Sequence, residues 1–318
     1  LKLDGEQARR YEMLVPRFIR YLSRKKPAAL NILFGSLDEI QTVFLAYIRR
    51  EYGENSIASR KKYVSLIVSS LLRVHIPTLV HSLMVAKMMK LAAVWFCDNA
   101  PEKLIGICSA ADADEVRAKK TEITEQVYLC GLAHDLGKIN YIDAISKVCR
   151  KLTDKEFTLI KEHCNRGTEV LSAQEFENEC YVARYHHRTS HGESAREYPQ
   201  DAAARNFASH PYFFIVKLCY VFDGIDAATD YIGRGYQNTK PATLAMDETV
   251  ADPAFRARAA AKWAKQGLTM GQFYKDCDPS ITALFAIPSF RRKILTVLDS
   301  YRRTAYDRAY RNSPNTIE

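Results

Sequence analysis

Two aspartates sit where a carboxylate is costly. Asp135 lies in "LAHDLGK" directly after His134, and Asp223 closes the apolar run "KLCYVF". A carboxylate in an apolar helical segment needs a cation or several donors, because burying an unpaired charge is expensive. The chain has eight histidines, and five of them, His81, His134, His163, His186 and His187, also fall beside apolar segments. Imidazole and carboxylate together suit first-row divalent ions, and a carboxylate can bridge two such ions and offset their charge. Two ions roughly 3.5–4 Å apart hold a bridging hydroxide and clamp phosphoryl oxygens. Neighbouring residues diverge by about 100° on a helix, so His134–Asp135 and His186–His187 cannot aim alike from a helix interior. A helix end pressed against the ions removes the difficulty: one residue serves one ion while the other bridges.

The elements that must position these residues read as helices. Alternating runs of β-branched residues are short and few, whereas 3.6-residue periodicity is common, so the expected fold is all-α. Residues 1–65 form an expected N-terminal helical module. In it "YEMLVPRFIRYLSRK" is amphipathic, Ser36 and Glu39 make a capping box, and Gly53 is a stop. The basic "ASRKKY" at 58–63 reads as a boundary. No catalytic constellation falls in this module, and a role in interaction or homodimer formation is its default reading. From about residue 66 the segments are apolar on most faces, as buried helices are. Thr153 and Glu156 form a second capping box, with Leu152 stapled onto Phe157, which places His163 near a helix end. "YVARYHHRTSHGE" ends a helix on two histidines, and a further buried helix carries Asp223 and Asp226 on adjacent turns. His75 and His210 read as structural or exposed, and the arginines of "FRRK" and "YRRTAYDRAYR" as solvated helix faces.

A net charge of +9 suits anionic partners such as nucleotides, and equally suits ordinary solubility. The eight cysteines form no CxxC pair, which excludes a thiolate zinc motif and points to buried free thiols in a reducing compartment. No run approaches about 18 uninterrupted apolar residues, so no span is expected, and no signal peptide is seen. The chain starts at Leu1. The expectation is a cytoplasmic, bacterial protein or the cytoplasmic part of a larger one, with a sensor or membrane part upstream.

Six segments in order resemble the HD-GYP subgroup of the HD phosphohydrolase superfamily. "HSLMVAKMM" looks like its first-histidine helix, and "AHDLGKI" with "DAI" and Lys147 like its HD-x-G-K segment. "LTDKEFTLIKEHCNRGTEVL", "YHHRTSHGESAREYP", "KLCYVFDGIDAATDYIGRGY" and "GQFYKDCDPSITALF" are similar to the four that follow. The resemblance spans roughly residues 70–290.

The resemblance implies an HD-domain helical bundle over 66–318 that hydrolyses a cyclic dinucleotide, cyclic di-GMP first, through a metal-bridging hydroxide. The implied metal ligands are His81, His134, Asp135, His163, His186, His187 and Asp223, with Asp135 bridging and iron or manganese bound. Lys138 would assist charge neutralisation at the phosphate, and Asp226, Arg234 and Tyr236 would border the substrate. DNA and RNA are not expected partners. The family pattern after the two histidines is Glu-x-x-Asp-Gly-x-Gly-Tyr-Pro. Here Arg188 and His191 replace the acidic residues, and Glu197 precedes Tyr198–Pro199 in a longer loop. Members with a third ion tend to carry Glu four residues before the first histidine; Pro77 stands there, which implies two ions. Two other readings stay open: a hydrolase of another nucleotide or phosphoester, and a signalling module that binds a cyclic dinucleotide without cleaving it.

Overall fold

The computed structural model describes residues 56–71, 75–141, 153–171, 176–188, 209–234, 238–271 and 277–311. Ser36, Glu39, Gly53, Lys147, Leu152, His191, Glu197, Tyr198, Pro199 and Tyr236 lie outside them. Among the described residues every regular element is helical and there is no strand. Helices α1 (Ile57–Leu71), α2 (Ile76–Asn99), α3 (Ala113–Ala118) and α4 (Lys120–Ala133) come first, followed by a 3-10 segment over Leu136–Tyr141. Next come α5 (Asp154–Lys161), α6 (His163–Val170), α7 (Glu177–Tyr185) and α8 (Phe213–Thr229). Then follow α9 (Ala242–Thr249), α10 (Pro253–Ala264), α11 (Pro279–Leu284), α12 (Pro288–Thr296) and α13 (Arg302–Arg311).

Helix α2 runs through the core. His75 caps its start by accepting from the Thr78 amide, and Pro77 occupies the first turn, where a missing N–H costs nothing. Met84, Met88, Met89 and Phe96 are fully buried along it, each contributing about 1.5–3 kcal/mol of apolar transfer. By length and composition α2 could cross a membrane, but most of it is packed inside the protein, as the central helix of a bundle is. Helix α4 crosses it closely at Gly131, where a Cβ would come within 2.7 Å of the Ala86 Cα.

The boundary expected near residue 65 falls inside α1. The basic run that was expected to mark it contributes contacts between α1 and α4. Lys61 donates to Glu125 at 2.6 Å and Arg60 to Gln126 at 2.6 Å, while Tyr63 is buried and stacks on Phe176. Charged heads with long apolar stems can line a helix contact as readily as a linker.

The Thr153–Glu156 capping box is present at the start of α5. Phe157 is exposed, so it anchors nothing in the core. Helix α5 ends at Lys161, two residues before His163, and α6 begins at His163. The 3-10 segment presses on α6 at Gly137, where a Cβ would fall 1.9 Å from the His163 carbonyl oxygen.

Candidate metal centre

Each of three histidines stands at a helix end. His134 caps the C-terminus of α4, His163 opens α6 at its break from α5, and His186 caps the C-terminus of α7. All three share one local device. Nδ1 of His134 donates to the Gly131 carbonyl at 2.7 Å, that of His163 to Ile160 at 2.5 Å, and that of His186 to Ala183 at 2.8 Å. In every case the acceptor lies three residues earlier, in the turn that the ring terminates. The bond fixes the ring and its tautomer and turns Nε2 away from the backbone, as outer partners of metal-binding histidines do.

The three Nε2 atoms converge on Asp135, which is fully buried. Its two oxygens face different partners. Oδ1 lies 3.2 Å from His163 Nε2 and 3.7 Å from His186 Nε2. Oδ2 lies 3.4 Å from His81 Nε2, 3.5 Å from His134 Nε2 and 2.5 Å from Lys138 Nζ. Asp223 repeats the division: Oδ1 is 2.9 Å from His81 Nε2 and Oδ2 is 3.7 Å from His187 Nδ1. Two carboxylates therefore span two sets of imidazoles, His81 with His134 on one side and His163, His186 and His187 on the other. All seven residues expected to bind metal come together.

The electrostatics match a cation site. Burial works against ionised carboxylates, yet Lys138, His134 and His163 hold Asp135 well below the usual range, and His81 and His187 do the same for Asp223. Burial pushes His134 down, His186 far down and His187 to about 3, so these rings are neutral, the form that coordinates an ion. His134 Nε2 has no hydrogen-bond partner although the residue is fully buried. An orphaned ring nitrogen beside a buried carboxylate is compatible with a bound divalent ion.

His81 is held differently. Its Nδ1 contacts Asp226 Oδ2 at 2.7 Å, and Asp226 Oδ1 accepts from Arg302 Nη2 at 2.6 Å. Arg302 also donates to the Thr229 carbonyl and hydroxyl at 2.6 and 2.9 Å. Asp226 was expected to border the substrate; with 1% exposure and both oxygens engaged, it stands behind His81 instead. Arg302 corrects the reading of the C-terminal arginines as a solvated face. It is 1% exposed, whereas Arg303, Arg308 and Arg311 of the same helix are at the surface. Arg291 of "FRRK" is likewise engaged, donating to Asp247 at 2.6 Å. The signal that could have exposed Arg302 was its helical spacing from the apolar Tyr306 and Ala309.

At the edge of the cluster, Lys138 is partly exposed and His187 is half-buried. Burial, then the charges of Lys138 and Arg234, push His75 down to about 4, which places both cations near the N-terminus of α2. Arg188, where the family pattern has Glu, is buried and its amide donates to Tyr185. His210 stacks on Tyr181, away from the cluster. A cleft lined by Val68, Leu83, Tyr128 and Arg308 includes none of the clustered histidines and is not the site.

The family model for the HD domain matches residues 78–217. Over this stretch the chain is similar to the HD domain. The match includes His81, His134, Asp135, His163, His186 and His187, whereas Asp223 follows it. HD domains are all-helical and bind divalent metals, and their members are generally metal-dependent phosphohydrolases. The histidine and carboxylate groups of this stretch are compatible with metal binding. No curated protein and no solved structure matches the chain.

Proposed function

We propose that this HD-domain protein hydrolyses a phosphodiester with two divalent ions, iron or manganese, held by His81, His134, Asp135, His163, His186, His187 and Asp223. The carrying observation is the position of Asp135, whose two oxygens face separate sets of histidine Nε2 atoms. Bound there, the ions would supply an activated water and neutralise charge on the phosphoryl group. The carbonyl locks at Gly131, Ile160 and Ala183 keep the imidazoles oriented. Lys138 balances the buried negative charge of Asp135, and its other donors would meet a phosphoryl oxygen. Arg234, whose charge acts on His75 as that of Lys138 does, would meet a second phosphate. The substrate class is a cyclic dinucleotide, with cyclic di-GMP first. The support for it is the two-cation edge of the site and the order of motifs shared with HD-GYP proteins. Tyr236 would border the same ligand.

The test is metal analysis after anaerobic purification, then turnover with Mn²⁺ or Fe²⁺ on a panel of cyclic dinucleotides and other nucleotides. Two ions per chain and cleavage of cyclic di-GMP are expected, both lost in Asp135→Asn. Fewer than about one ion per chain would reject a two-ion mechanism. A metal-filled protein that binds cyclic di-GMP without cleaving it would establish a receptor, and cleavage of a different phosphoester would reassign the substrate.

A further inference from the structure

We propose that Cys164 is a thiolate ligand to the ion held by His163, His186 and His187, an assignment that rests on the metal-centre reading above. Cys164 follows His163 in α6 and is fully buried. Its Sγ lies 3.6 Å from His163 Nε2. The donor atoms of His163, Cys164, His186 and His187 all fall within 4.8 Å of one another. An ion with a metal–nitrogen bond of about 2.1 Å and a metal–sulfur bond of about 2.3 Å at a tetrahedral angle sets N and S about 3.6 Å apart. The Nε2 atoms of His163 and His186 are 3.2 Å apart. Two nitrogens sharing one ion at angles between square and tetrahedral are separated by about 3.0–3.4 Å. Both spacings are those of donors around one centre.

An independent observation also points to a ligand. Across Asp135, the fully buried His134 Nε2 has no hydrogen-bond partner, so the polar cluster is not closed by its own contacts. Other thiols in the fold are placed differently. The Cys180 thiol donates to the Leu171 carbonyl at 3.1 Å, Cys130 lies against Gln126, and Cys97 and Cys219 sit in the apolar core. Among the described residues, Cys164 is the cysteine grouped with the histidines.

The step balances simply. The ion binds sulfur, the S–H bond breaks, and the proton leaves to solvent. A thiolate makes this half of the centre prefer Fe²⁺, Co²⁺ or Zn²⁺ over Mn²⁺ or Mg²⁺. The proposal thereby narrows the choice between iron and manganese at one of the two ions.

Cobalt(II) titration of the metal-free full chain, followed by absorption spectroscopy, tests this. The wild type is expected to develop sulfur-to-cobalt charge-transfer absorption in the near ultraviolet. Cys164→Ser is expected to bind cobalt without that absorption and to lose roughly tenfold or more of the preference for Co²⁺ over Mn²⁺. Cys164→Ala provides the same comparison should the serine disturb the buried site. Identical spectra from wild type and variants with cobalt bound would overturn the cysteine assignment and leave the histidine–aspartate centre standing. A wild type that binds no cobalt would overturn both.

Discussion

Arg302 and Asp226 are 76 residues apart in the chain, and their side chains meet at 2.6 Å inside the protein. The carboxylate that Arg302 engages is the one that holds His81. Removing the guanidinium in Arg302→Met leaves Asp226 buried with its charge half compensated. Breaking a buried pair in this way costs about 3–5 kcal/mol. The affinity of the centre for Mn²⁺ should fall about 10–100-fold, the usual effect of losing an outer partner of a metal-binding histidine. Chemical denaturation and Mn²⁺ titration measure the two effects. Arg302→Lys should restore part of the stability, because it returns the charge without the double donation to Asp226 and Thr229.

The protonation of His81 sets a pH dependence. Burial alone would lower its pKa, but hydrogen bonds with Asp223 and Asp226 outweigh burial and hold it at about 9, above the ordinary 6.5. A folded-state pKa above the unfolded value stabilises the metal-free protein fully below pH 6.5, and that contribution fades as pH rises toward 9. Ion binding needs the neutral ring and expels the proton. Between pH 6.5 and 9 the Tm of the metal-free protein should therefore fall while Mn²⁺ affinity rises. Calorimetry in two buffers of different ionisation heat would count the protons released. A flat affinity across that window would remove His81 from the ligand set.

Lys138 pairs with Asp135 yet remains partly exposed. Lys138→Met should retain the ions and lose about 100-fold in kcat, the scale of one lost charge-stabilising donor. Metal content and kcat measured on one preparation decide it. A variant that loses metal in proportion to activity would assign Lys138 to holding the centre and not to the phosphoryl group.

Gly137 and Gly167 face each other, and their substitutions should differ sharply. A Cβ on Gly137 would lie 1.9 Å from the His163 carbonyl oxygen and 2.5 Å from the Gly167 amide nitrogen, both backbone atoms. Gly137→Ala must push the 3-10 segment off α6, at a cost of about 3 kcal/mol or more. A Cβ on Gly167 meets nothing nearer than 3.5 Å. Gly167→Ala should be neutral or stabilising by about 0.5–1 kcal/mol, the helical advantage of Ala over Gly. Thermal unfolding of the two variants side by side checks the contrast.

The helical class and the convergence of the seven His and Asp residues were legible because both depend on local signals. Apolar periodicity marks the helices, the Thr153–Glu156 box marks the start of α5, and adjacent His–Asp and His–His pairs require helix ends. What was not legible depends on distant partners. Asp226 looked like a residue facing a substrate because its spacing from Asp223 is visible, whereas its contact with Arg302 is not. Arg302 sits beside Arg303 in a strongly charged helix, and charge alone does not tell which of two neighbours turns inward. The contacts of the run at 58–63 were not legible because the acceptors of Arg60 and Lys61 lie in α4. Cys164 is the buried free thiol that was expected, but its grouping with His186 and His187 depends on elements distant in sequence.

The carbonyl locks on His134, His163 and His186 also set an order of assembly. Each is closed within one helical turn, so these rings take their orientation as soon as α4, the α5–α6 junction and α7 form. His81, near the front of the chain, takes its orientation from Asp226 and, through it, from Arg302 near the back. Domains fold as the ribosome releases them, N-terminal parts first. A nascent polypeptide not yet extended to Arg302 has its local histidines prepared and His81 unbraced. The cluster reaches its final geometry only once synthesis has passed α13, so ion capture in the braced arrangement waits for Arg302.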